Sequence, residues 1–310
     1  MKRAVVFAYH NVGVRCLKAL LAGGVEVALV VTHLDNPGET IWYDSVRRTA
    51  EDYGLPCITP DDPNADAVLQ RVRALDPDFV FSFYYRHMLK APLLACARRG
   101  AYNMHGSLLP KYRGRVPVNW AIIHGETETG ASLHVMNEKP DNGALIDQMA
   151  VPILPDDNAL EVFAKVTVAA EIVLLRALPN LLDGSAKLTP QDLSQGAYFG
   201  ARSAADGRID WNQPARRIHD LVRAVTKPFP GAFCDLGSRR LTLWQTRVSQ
   251  EASSVDSPCL FLRQDKINAR CGDDTVLHIL NAELDGEPFD AVSWRRLGFP
   301  SVLPLPPIKL

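Results

Sequence analysis

Residues 4–32 read AVVFAYHNVGVRCLKALLAGGVEVALVVT, and this stretch decides the fold. Ala4–Ala8 is an unbroken apolar run, as a strand buried on both faces requires. Gly13–Ala22 carries apolar residues at helical spacing and stops at Gly23-Gly24. Val25–Thr32 is a second apolar run rich in Val and Leu. Strand, helix and strand in immediate succession form a βαβ unit, whose strands lie parallel with the helix across one face.

The rhythm continues outward. Ser45–Tyr53 reads as a helix, with Gly54 suited to its C-terminal cap. Pro56–Thr59 is a brief strand, Ala65–Leu75 a helix ended before Pro77, and Phe79–Phe83 and Ala101–Met104 are strands. Together they predict a parallel sheet covered by helices, with ligands outside the carboxyl ends of its strands. Ser132–Met136 and Ala144–Pro152 read as strands around the polar turn Asn137–Gly143. Asn158–Leu182 is a long helix, and Gln191–Asp206, polar and Gly-containing, reads as a linker. Beyond it the helix Ala215–Ala224 precedes short strand-like pieces at Phe233–Leu236, Leu241–Val248, Cys259–Leu262, Ile267–Cys271 and Val276–Ala282, as in a small β-barrel or sandwich. The tail Pro304-Leu305-Pro306-Pro307 is expected to be extended and solvent-facing. The expected domains are residues 1–203 and 204–310.

The 310 residues include 34 Lys+Arg against 35 Asp+Glu, a balance that disfavours a surface built to coat nucleic acid. The six cysteines form no C-x-x-C pair and suggest reduced thiols in a cytoplasmic protein. The eight histidines form no H-E-x-x-H motif, so no metal site is expected. No window holds the roughly 18 apolar residues of a membrane span, so no membrane insertion is expected.

Candidate chemistry concentrates in Asn103-Met-His105-Gly-Ser-Leu-Leu-Pro-Lys-Tyr-Arg-Gly-Arg115. Asn103 and His105, two apart, leave a strand end on the same side. Acyl transfer to an amine needs a hydrogen-bond donor for the oxyanion and a group that moves a proton. An Asn amide and a His imidazole supply both. Taken alone, however, an Asn-x-His at a strand end serves structure more often than catalysis. Ser107 could cap a helix, Asp141-Asn142-Gly143 could be an ordinary turn, and spacing alone does not bring Asp141 to His105.

The stretch N-x-H followed by S-L-L-P-x-Y-R-G closely resembles the signature of the 10-formyltetrahydrofolate-dependent formyltransferases. The resemblance implies a Rossmann-like domain followed by a small open, OB-like β-barrel. It also implies roles by position. Asn103 stabilises the oxyanion, His105 transfers the proton, and Asp141, after Asn137-Glu138-Lys139-Pro140, supports His105. Arg115 and Asn137, Glu138, Lys139, Pro140 and Asp141 contact the formyl-folate cosubstrate. Tyr85, Arg86, His87 and Met88 lie in the loop that lines the pterin pocket.

The likeness extends to Val5–His10, Thr32–Glu39, Phe81–His87, Asn119–Gly130 and Pro230–Phe233, which resemble the UDP-4-amino-4-deoxy-L-arabinose formyltransferase part of bifunctional polymyxin-resistance enzymes. It implies a UDP-aminosugar substrate used in lipid A modification. Those enzymes continue into a decarboxylase domain; a chain like this one is either a stand-alone enzyme or a domain of a longer one. Methionyl-tRNA formyltransferases share the signature and are the alternative. They carry a basic insertion after the second strand and a basic C-terminal domain, as a tRNA backbone demands. Here residues 33–53 hold five acids (Asp35, Glu39, Asp44, Glu51, Asp52) and two bases (Arg47, Arg48), and residues 204–310 hold 14 Lys/Arg and 13 Asp/Glu. This charge pattern favours the aminosugar, with no nucleic-acid partner; a homo-oligomer is left open. Asp35 and Glu39 are read as solvated loop charges, and His134, inside an apolar strand, as a core histidine without an evident partner.

Overall fold

In the computed structural model, which describes residues 1–252 and 257–305, the apolar runs of the N-terminal half gather into one sheet. Its parallel part contains β1 (Arg3–Ala8), β2 (Glu26–Val31), β3 (Cys57–Ile58), β4 (Phe79–Phe83) and β5 (Gly100–His105). After the two-residue strand β6 (Arg113–Gly114), β7 (Glu128–Val135) and β8 (Leu145–Pro152) join the same sheet antiparallel. The order is β3-β2-β1-β4-β5-β7-β8. The connecting helices are α1 (His10–Ala22), α2 (Val46–Asp52), α3 (Asp66–Ala74), α4 (Ala91–Leu94), α5 (Pro117–Ile123) and α6 (Ala159–Asp183).

Burial explains the composition of the strands. Every residue of Phe79–Phe83 is buried, as a central strand covered on both faces demands. Each such Phe contributes on the order of 1.5–3 kcal/mol by leaving water. Helix α1 buries Val12, Cys16 and Ala19 together with Gly13, Leu17 and Leu20, two rows at helical spacing. Gly13 allows close packing: a Cβ there would lie 3.0 Å from Val46 Cγ2 and 3.1 Å from Ala8 Cβ. The chain steps from β1 to β2 on one side, whereas β4 and β5 extend the sheet on the other. The carboxyl ends of β1 and β4 therefore flank a topological switch point, where open α/β sheets place their ligands.

Two units emerge. One comprises Met1–Val118, Glu128–Pro152 and Phe163–Gly200; the other comprises Asn119–Thr127, Ile153–Val162 and Ala201–Leu310. Gln191–Gly200, read from composition as linker, belongs to the first unit. There β9 (Tyr198–Phe199) pairs parallel with β6. The second unit is an antiparallel, OB-like half-barrel in the order β10 (Ala232–Leu236), β11 (Arg239–Ala252), β14 (Thr275–Leu284), β13 (Lys266–Arg270), β12 (Cys259–Arg263), β16 (Val302–Pro304), with β15 (Glu287–Pro288) beside β14. Register shifts around Leu243, Gln245 and Thr246 interrupt the β11–β14 ladder, the kind of irregularity that lets a long strand bend. The helices α7 (Ala215–Val225) and α8 (Ala291–Arg296) complete it. The tail is less open than its prolines suggested. Val302–Pro304 pairs with β12 and Leu305 is buried, while Pro306 and Pro307 lie outside the described residues.

Candidate active site

The carboxyl end of β5 and its antiparallel neighbour β7 build the site. Their register sets Asn103 directly opposite His134, and His105 opposite Ser132. Asn103 Nδ2 lies 3.1 Å from His134 Nε2 and 3.4 Å from Asp141 Oδ1. His105 Nδ1 is 3.5 Å and His134 Nε2 is 3.4 Å from the same oxygen. Asn103, His105 and Asp141, placed together by resemblance alone, thus converge in space. His134 joins them, which corrects its reading as a partnerless core residue. It is buried, but its ring faces polar groups.

Asp141 is held from several sides. The Gly114 N–H donates to its Oδ2 at 2.8 Å. Its backbone has φ 55°, a left-handed conformation that costs energy unless surroundings enforce it. Gln191 Nε2 supplies that enforcement, donating to the carbonyls of Asp141 at 3.0 Å and Gly143 at 2.6 Å. A Cβ on Gly143 would fall 1.9 Å from the Val135 carbonyl oxygen, so the turn tolerates no side chain there. Burial pushes the Asp141 carboxyl upward. The positive charge available on His105 and the Gly114 N–H are among the groups that outweigh it and hold the group well below the usual carboxylate range.

The signature loop orients His105. Its Nε2 lies 2.8 Å from the Tyr112 carbonyl oxygen, which can only accept, so Nε2 carries a proton. In the neutral ring Nδ1 then keeps the lone pair, on the side facing Asp141. Tyr112 itself has φ 55°. The loop is braced internally: Ser107 Oγ donates to Lys111 O at 2.6 Å, and Gln148 Nε2 donates to Leu109 O at 2.9 Å and to Ser132 Oγ at 2.7 Å. Arg113 N–H and Arg115 N–H donate to the carbonyls of Ala197 and Phe199. None of Tyr112, Ser132, Gln148 or Gln191 was singled out from sequence. Each acts through geometry that only the folded register supplies.

The expected folate contacts lie around the same strand ends. Tyr85 is buried, and Arg86, His87 and Met88 are exposed, on the loop leaving β4 next to β5. His33 stacks on Tyr85 at 4.1 Å and accepts a hydrogen bond from Arg86 N–H at 3.1 Å. Burial, with His87 and Arg86 close by, pushes the His33 imidazole down to about 4. The buried hydroxyls of Tyr84 and Tyr85 have no hydrogen-bond partner among the described residues, so the loop retains unused donors. Arg86 forms a two-pronged pair with Glu39 at 2.8 Å, and Tyr9 OH donates to Asp35 at 2.7 Å; neither acid is a free loop charge. Asn137, Glu138 and Lys139 are exposed and Pro140 half-buried in the turn before Asp141; Asn137 Oδ1 accepts from Lys139 N–H at 2.9 Å. Arg115 is exposed beside the loop. Among the described residues no group of three His, Cys, Asp or Glu is arranged to hold a metal ion, and no helix is long and apolar enough to cross a membrane.

Comparison with known proteins places this geometry in a family. The formyl transferase model matches residues 2–178, and the model of the formyl transferase C-terminal domain matches residues 202–296. Three solved structures share the fold. An N-formyltransferase from Helicobacter canadensis, in complex with folinic acid and dTDP-3-aminofucose, is 18% identical with a TM-score of 0.72, covering 93% of this chain and 100% of that one. WlaRD, a sugar 3N-formyl transferase in the presence of dTDP and 5-N-formyl-THF, is 19% identical with a TM-score of 0.70, covering 90% and 97%. HypX from Aquifex aeolicus, in complex with tetrahydrofolic acid, is 20% identical with a TM-score of 0.63; the match covers 99% of this chain and 49% of that one. At these identities the likeness establishes the fold, while the family models span most of the chain. The protein belongs to the formyl transferase family and is an enzyme of that family.

Proposed function

We propose that the enzyme transfers the formyl group of 10-formyltetrahydrofolate to the 4-amine of a nucleotide-linked aminosugar, UDP-4-amino-4-deoxy-L-arabinose, in the cytoplasm. Lipid A modification and polymyxin resistance are the corresponding physiological context. The observation that carries the reading is the convergence of Asn103 and His105 on Asp141 at one strand end, with Nδ1 of His105 left as the working nitrogen. The neutral amine attacks the formyl carbon, and the carbonyl electron pair moves to oxygen. Asn103 donates an N–H to that oxygen. His105 Nδ1 takes the proton from the attacking nitrogen, and Asp141 stabilises the imidazolium so formed. His105 returns the proton to the folate nitrogen as the bond from that nitrogen to the formyl carbon breaks. The unpartnered Tyr84 and Tyr85 hydroxyls suit a heterocycle edged with polar groups. Tyr85–Met88, Arg115 and Asn137–Asp141 are the residues assigned to hold the folate.

The acidic balance of residues 33–53 and the near-neutral balance of residues 204–310 support a small acceptor over tRNA. Two of the similar structures were solved with dTDP or a dTDP-linked aminosugar, so a dTDP-3-aminosugar is the second reading. Competition decides among the acceptors. Purified enzyme with formyl-folate receives UDP-4-amino-4-deoxy-L-arabinose, a dTDP-3-aminosugar and methionyl initiator tRNA together. Formylation of the UDP-sugar first is expected. Preferential formylation of the tRNA overturns the acceptor class, and preference for the dTDP-sugar overturns the nucleotide and position.

A further inference from the structure

We infer that His134 is a positioning residue that acts through Asn103, fixing which end of the Asn103 amide faces the reacting oxygen; this rests on the formyl-transfer reading above. His134 Nδ1 lies 2.9 Å from the Val135 carbonyl oxygen. A carbonyl only accepts, so Nδ1 bears the proton and the neutral ring keeps its lone pair on Nε2. That lone pair faces Asn103 Nδ2 at 3.1 Å, so one N–H of the amide is committed to His134. The alternative amide orientation would set Asn103 Oδ1 against the Nε2 lone pair and the Asp141 carboxylate together, three acceptors with no hydrogen between them.

The nitrogen is therefore locked on the Asp141 side. Its second N–H meets Asp141 Oδ1 only at 3.4 Å, a slack contact that a developing oxyanion displaces. Without an acceptor at position 134 the amide can rotate and present oxygen to the oxyanion, reversing the sign of the interaction. The cross-strand register makes the pairing rigid, because Asn103 and His134 are directly opposed on β5 and β7 and His134 is buried.

A double-mutant cycle tests the inference. His134→Leu keeps the volume and removes the acceptor; His134→Gln returns a carboxamide oxygen at the reach of Nε2. His134→Leu should lower kcat by about tenfold or more with KM for both substrates unchanged. His134→Gln should restore most of the loss, and His134→Leu should cost less than about twofold when added to Asn103→Ala. Equal loss in the Leu and Gln variants, or additive loss with Asn103→Ala, overturns the inference. Nitrogen NMR of ring-labelled histidine in the wild-type protein reads the same claim without turnover. An Nδ1–H tautomer at His134 is expected; an Nε2–H tautomer or an imidazolium overturns it. If the wild-type enzyme formylates no amine, the functional reading fails, and the NMR result still decides the His134 geometry. Should His134→Leu not fold, the Gln variant and the wild-type spectrum suffice.

Discussion

Each unit of the chain buries histidine and aspartate together, and the two clusters differ in how their hydrogen bonds are used. Along α7 the contacts are short. His219 places Nδ1 3.0 Å from Thr246 Oγ1 and Nε2 3.0 Å from the Pro155 carbonyl. The Arg223 guanidinium meets Asp220 at 2.7 Å and the Asp157 carbonyl at 2.8 Å. At the ends of β5 and β7, by contrast, Asn103, His105 and His134 share one oxygen of Asp141 at 3.4–3.5 Å. Among the described residues only Gly114 N–H, on the other oxygen, meets the Asp141 carboxylate at full hydrogen-bond distance. A cluster closed by short contacts holds a fold together. A cluster whose groups crowd one oxygen at the limit of bonding keeps a lone pair and an N–H available to a substrate. Buried His and Asp alone do not distinguish the two; the state of their partners does.

The largest expected effect lies in the open cluster. His105→Ala should lower kcat by roughly 10²–10⁴-fold, the usual contribution of a positioned acid–base group, with folate affinity nearly unchanged. Steady-state kinetics and a folate-binding titration check both halves, and turnover near wild type removes His105 from the mechanism. In the α7 cluster the loss should be of stability instead. Asp220→Ala leaves the buried Arg223 charge without its carboxylate and should cost about 3–5 kcal/mol, read by denaturant unfolding of the second unit. Activity per folded molecule should be retained. Stability near wild type would mean the pair is not the closed element described.

Gly143→Ala joins the two kinds of effect. Its Cβ would meet the Val135 carbonyl oxygen, so the turn must shift and carry Asp141 with it. A stability loss of about 1–3 kcal/mol is expected, accompanied by a fall in kcat larger than that in folate affinity. A variant with lower stability and unchanged kcat would show that Asp141 tolerates displacement.

A further effect is one of pH. Burial, helped by Arg86, pushes the His10 imidazole down to about 3, and His33 is lowered to about 4. Between about pH 6.5 and those values the unfolded chain binds the protons and the folded chain does not, so stability falls as pH falls. It is fully present above about pH 6.5. His10→Gln should flatten the slope of stability against pH between 6.5 and 4, and an unchanged slope would contradict the assignment. Asp141 behaves in the same direction over a lower range. Held below the ordinary carboxylate value, it stays ionised through neutral and mildly acidic pH and contributes no acid limb to activity there.

Much of this was legible in the sequence. Apolar runs such as Ala4–Ala8 and Phe79–Phe83 have one physical use, and the strands formed there. The signature loop singled out Asn103 and His105, which the fold brings together with Asp141. What stayed hidden depends on register and on long separations. His134 sits in an apolar run and gains its partner only when β7 lies antiparallel to β5, which sets it opposite Asn103. Gln191 reaches Asp141 across 50 positions of chain, and its polar, Gly-containing neighbourhood has the composition of a linker. Gly196 was part of that appearance. A Cβ there would fall 2.0 Å from the Pro110 carbonyl oxygen, so the glycine marks close packing. Short helices such as Pro117–Ile123 and Ala291–Arg296 lack the length for a periodic pattern.

On the proposed function, the open cluster performs formyl transfer to a sugar amine. Its most direct test is mass spectrometry of a panel of UDP- and dTDP-linked aminosugars incubated with formyl-folate and either wild-type or His105→Ala enzyme. A product one formyl group heavier is expected from UDP-4-amino-4-deoxy-L-arabinose with the wild type, and almost none with the variant. Equal product from both enzymes, or no formylated sugar with the wild type while another amine is formylated, would contradict it.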